Sequence, residues 1–79
     1  MNTTLLRMHM VANNDTQMEL SKDMGIAQSA LSMRINGKTE FRQNEINFIK
    51  KRYHLSDKDT IDIFFADEVT DKDTTKRGA

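Results

Sequence analysis

Apolar residues recur along the chain at intervals of three, four and seven, the spacing by which a helix buries one stripe. Leu5, Met8 and Ala12 form the first stripe; Thr3 or Thr4 serves as its cap and Asn13-Asn14-Asp15 ends it, which predicts a helix to about Ala12. Thr16-Gln17-Met18-Glu19 has the form of a capping box, with the Thr16 hydroxyl accepting from the Glu19 amide and Glu19 reaching back to the Thr16 amide. The second helix is short, because the Leu20/Met24 pair is followed at once by Gly25. A third runs from about Ala27 to Ile35, turns Leu31 and Ile35 inward, and closes at Asn36-Gly37. After a loop from Lys38 to Phe41, Ile46, Ile49 and Tyr53 mark a fourth helix from about Gln43 to Tyr53. Ser56-Asp57-Lys58-Asp59 opens a fifth, whose Ile61, Phe64 and Phe65 are expected in the core. The pattern predicts an all-α, compact five-helix domain over residues 2–66.

Composition narrows the function. A chain of 79 residues accommodates one domain with a modest core. With no cysteine, disulfides, thiolate metal sites and a cysteine nucleophile are excluded. His9 and His54 fall on different helices without an evident nucleophile or metal partner, so neither an enzyme, a cofactor nor a small-molecule substrate is expected. The apolar run Leu5–Val11 is broken by Arg7 and His9, too short and polar for a signal or membrane segment, which predicts a soluble cytoplasmic protein. Residues 67–79 hold one aliphatic side chain, Val69, and are expected to form a flexible tail of mixed charge. Net charge is zero, but six basic residues face two acidic ones between Arg34 and Arg52, and acids dominate from Asp57 to Asp73. That asymmetry allows a local basic face within a neutral chain.

The segment from Gln17 to Asn36 has the spacing of a helix-turn-helix: apolar Leu20, small Ser21 where two helices cross, apolar Met24, Gly25 at the turn, then apolar Ile26 and Leu31. Such spacing is shared with purely structural helical hairpins. Residues 16 to 39, and most closely Gln17, Glu19, Leu20, Gly25, Gln28-Ser29 and Asn36-Gly37-Lys38, resemble the Cro and lambda-repressor-type helix-turn-helix family. The stretch from Phe41-Arg42-Gln43 through Ile63-Phe64-Phe65 is similar to small Cro-like regulators of phages of Gram-positive hosts. The resemblance implies a lambda-repressor-like fold in a bacterial host cell, with the third helix in the major groove of operator DNA. It places Gln17 on a phosphate and Gln28, Ser29 and Ser32 at base edges.

The side-chain chemistry suits those roles. An amide at Gln28 matches the N6/N7 edge of adenine, and Ser29 donates or accepts on either strand. Lys38 and Arg42 follow the third helix and are positioned to neutralise phosphates. Where the family places an aliphatic residue, three positions after Leu31, this chain has Arg34, which is expected to face DNA. Reading two half-sites requires a homodimer, for which Phe48 and Ile63 are the outward apolar candidates. Met18 and Met33 occupy outward positions that are commonly polar in the motif, and adaptable methionines there also suit contact with a protein. The alternative function is therefore a repression modulator, or antirepressor, that binds a partner phage repressor through the same scaffold.

Overall fold

The computed structural model describes residues 1–65 and is all-helical: α1 (Thr3–Ala12), α2 (Gln17–Met24), α3 (Gln28–Ile35), α4 (Gln43–Arg52) and α5 (Asp57–Phe64). The expected tail, 67–79, lies outside the described residues. α2 packs on α3, while α5 packs on both α1 and α4. All five helices contribute to one core: Leu6 and Met10, Leu20, Leu31 and Ile35, Ile46 and Ile49, and Ile63 with Phe64.

Four of the five helices end in the same way. Asn14, Gly25, Gly37 and His54 each take a left-handed conformation, with φ of 56°, 77°, 80° and 55°. The amide that follows each one donates back to the last turn: Asp15 to Met10 O, Ile26 to Ser21 O, Lys38 to Met33 O and Leu55 to Lys50 O, at 2.9 to 3.1 Å. This 6→1 closure satisfies carbonyls left open by the helix and reverses the chain without proline.

Two helices are rotated from the expected register. α1 buries Leu6 and Met10 and exposes Met8, Val11 and Ala12, and its cap is Asn2, whose Oδ1 accepts from Leu5 N at 3.0 Å. Thr3, expected as a cap, instead donates its hydroxyl to Ile35 O at 2.7 Å, while the Asn2 amide donates to Ile63 O at 2.7 Å. These two bonds dock the start of α1 on the ends of α3 and α5 and thereby choose its inner face. In α5, Thr60, Ile63 and Phe64 point inward and Ile61 and Phe65 outward. The Thr60 hydroxyl is satisfied by Ser56 O at 2.9 Å, and Phe64 meets Phe41 edge to face with centroids 5.4 Å apart. Both helices are apolar on more than one side, so periodicity alone does not select the stripe.

Candidate nucleic-acid interface

The α2–α3 hairpin is built as its sequence spacing implies. The Thr16 hydroxyl accepts from Glu19 N at 3.2 Å, but the Thr16 amide donates to the Asp15 carboxylate at 3.0 Å rather than to Glu19. Ser21 is buried at the crossing and donates its hydroxyl to Met18 O at 2.9 Å. A Cβ at Gly25 would meet no atom within 4 Å, so the turn needs glycine for its φ of 77° and not for a close approach. Leu20, Leu31 and Ile35 are fully buried and seat the hairpin on the rest of the molecule.

This burial leaves Gln28, Ser29 and Met33 on the exposed side of α3, with Ser32 half-buried beside them. Ser32 Oγ accepts from Asn36 Nδ2 at 3.4 Å, whereas Gln28, Ser29 and the half-buried Gln17 make no side-chain hydrogen bond to another described residue. α3 begins at Ala27 without a side-chain cap, so its first-turn amides remain open to an acceptor from outside.

Half of the basic residues of this segment are neutralised from within. Arg34, expected to face DNA, is instead half-buried and turned inward: Nε donates to Glu45 Oε1 at 2.9 Å and Nη1 to Ala30 O at 3.2 Å, with 12% and 9% of the Arg34 and Glu45 side chains exposed. Ile35 takes the inward position in the last turn, and Arg34, one residue earlier, is carried against α4 rather than outward. Lys50 pairs with Asp57, and Arg52 with Asp15 and Asp23. Lys38, Arg42 and Lys51 are the basic residues of the segment without an ion pair among the described residues, and all three are exposed.

The Asp15 cluster was not visible in the sequence. Arg52 forks onto Asp15 through Nε and Nη2 at 2.7 and 3.0 Å and reaches Asp23 through Nη1 at 2.6 Å, while Tyr53 Oη donates to Asp15 at 2.6 Å. Hydrogen bonding from Arg52 is the main reason that the Asp15 carboxyl, its side chain only 5% exposed, is held below the usual carboxylate range. Burial, with the Asp15 hydrogen bond second, pushes the Tyr53 hydroxyl above the ordinary phenol range. The partners are separated by 29 to 38 residues along the chain, so no local pattern announces them.

Of the apolar candidates, Met18 and Met33 are 64% and 47% exposed, and Phe48 is half-buried against the core. Ile63 is fully buried and cannot contact a second molecule; the outward apolar residues of α5 are Ile61 and Phe65. Among the described residues there is no group of three or more His, Cys, Asp or Glu that could hold a metal, and no helix long and apolar enough to cross a membrane. Comparison of the chain with protein-family models, curated proteins and solved structures finds no match.

Proposed function

We propose that the chain is a sequence-specific DNA-binding regulator that reads operator DNA through the major groove, with α2–α3 as its helix-turn-helix in a lambda-repressor-like arrangement. The observation that carries this reading is the outer face of α3, where Gln28 and Ser29 stand exposed and unbonded at an uncapped helix start. Side chains free of internal partners are available to base edges, and the open amides to a phosphate. In this reading Gln28, Ser29 and Ser32 face bases, Gln17, Lys38 and Arg42 face phosphates, and Arg34 has a structural task. The protein acts as a homodimer on two half-sites about 34 Å apart.

Selection of duplexes from a random library, followed by salt titration, tests the proposal. Gln28→Ala should weaken the selected duplex by about 1–3 kcal/mol and leave a scrambled one unchanged. Lys38→Ala and Arg42→Ala should weaken both and reduce the salt slope by about one each. No enrichment at any salt concentration would sink the reading.

A second reading, a modulator that binds a partner repressor, is favoured by the exposure of Met18 and Met33 on the hairpin. Met33→Lys separates the two. A DNA reader should keep or gain duplex affinity, whereas a modulator should lose its protein partner because a desolvated contact becomes a charge.

A further inference from the structure

Glu45 and Arg52 stand seven residues apart on α4, two turns of helix, which places them about 10 Å apart and within about 20° of one another on a single face. Each grips a different helix of the α2–α3 hairpin. At the start of α4, Glu45 holds Arg34 of α3 at 2.9 Å and also accepts from Arg42 N at 2.8 Å, which fixes its own rotamer. At the end of α4, Arg52 holds Asp15, just before α2, and Asp23, in the last turn of α2. The two helices of the hairpin therefore meet one helix at two points of opposite polarity: a cation from α3 on a carboxylate, and carboxylates at the two ends of α2 on a cation.

We propose that α4 is a bracket that sets the orientation of the hairpin, with Glu45 and Arg52 as its positioning residues. The apolar wedge of Leu20, Leu31 and Ile35 holds the hairpin on the core, but hydrophobic contact is non-directional and tolerates small rotations. A guanidinium fork does not, because two parallel N–H bonds fix both distance and plane. The opposite signs at the two ends also disfavour a reversed seating, which would bring like charges together. Arg52 clasps both ends of α2 at once, so it restrains tilt as well as distance. Tyr53 Oη and the Thr16 amide also donate to Asp15, so groups outside the fork help to hold the carboxylate in place.

The orientation itself is independent of any ligand, whereas its consequence for DNA rests on the proposed reading of α3. Residual dipolar couplings on the isotope-labelled full chain, without DNA, report the alignment of α2–α3 relative to α1, α4 and α5. Arg52→Lys keeps the charge and removes the fork. Asp23→Ala removes one arm at a side chain that is 49% exposed, so it endangers folding little. Both variants should melt cooperatively and keep wild-type couplings within each part, yet require the hairpin to be rotated against the frame. A wild-type alignment in both overturns the bracket, and if Arg52→Lys does not fold, Asp23→Ala alone decides. On a duplex selected by the wild type, preference over a scrambled duplex should fall about tenfold or more in the rotated variants, with scrambled binding unchanged. A wild type without duplex preference would refute the DNA reading, while the couplings would still test the bracket.

Discussion

Arg34 and Asp15 show how far a charged residue's role depends on what lies across the fold. Arg34 sits in an exposed-looking stretch of sequence, yet its side chain is enclosed with Glu45. Removing one member of a buried pair strands the other, so Arg34→Ala should cost about 3 kcal/mol in chemical denaturation. A loss below about 1 kcal/mol would return it to the class of surface pairs. Asp15 carries the pH dependence. Its folded pKa is depressed, so its contribution is fully present above the ordinary carboxylate range and is lost as pH falls through that range toward the folded value. The wild-type melting temperature should thus drop between about pH 5 and pH 2. Asp15→Asn should start lower at neutral pH and decline less steeply. Parallel declines would assign the acid sensitivity to other carboxylates; Asp57, itself exposed and lowered by Lys50, is a weak candidate because solvent screens that pair.

At the scale of elements, the left-handed residue after four of the five helices is the recurring device, and its chemistry differs from site to site. Gly25 and Gly37 accept positive φ readily, whereas His54 adopts 55° with a Cβ. Gly25→Ala should therefore destabilise the chain by about 1 kcal/mol through backbone strain alone, since nothing crowds the new methyl. His54→Gly should work in the opposite direction and raise stability by a few tenths to about 1 kcal/mol, because exposed His54 has little packing to lose. Thermal melts of the two variants check both signs, and an unstable His54→Gly chain would mean that the imidazole holds the α4–α5 turn. Gly25 and the Asn36-Gly37 stop were legible in the sequence because glycine advertises the conformation. The end of α4 near Tyr53 was legible too, but the left-handed turn at His54 was not, since histidine advertises it far less than glycine does; Leu55, next along the chain, is seated in the core.

For the whole molecule, the test is which apolar residues hold the core. Ile63→Ala removes a fully buried side chain and should cost about 2–5 kcal/mol, whereas Ile61→Lys, two residues earlier, should change stability by less than about 0.5 kcal/mol. The reverse ranking would restore the expected α5 register. Five helices, their approximate limits, and the inner faces of α2, α3 and α4 follow from local periodicity, capping residues and glycine, which act over distances of three to seven residues. The exposed positions of Gln28, Ser29 and Met33 follow from the same periodicity, because Leu31 and Ile35 leave α3 only one way to face. Local rules stop where a helix has two usable apolar stripes, as in α1 and α5, and where a charge finds its partner across the fold. There the tertiary structure decided: Thr3 on Ile35 turned α1, the core took Ile63 in place of Ile61, Glu45 drew Arg34 inward, and Arg52 gathered Asp15 and Asp23. The physical reason is range, since helix propensity is read from neighbours in sequence, whereas burial and charge pairing are settled only when distant segments share one interior.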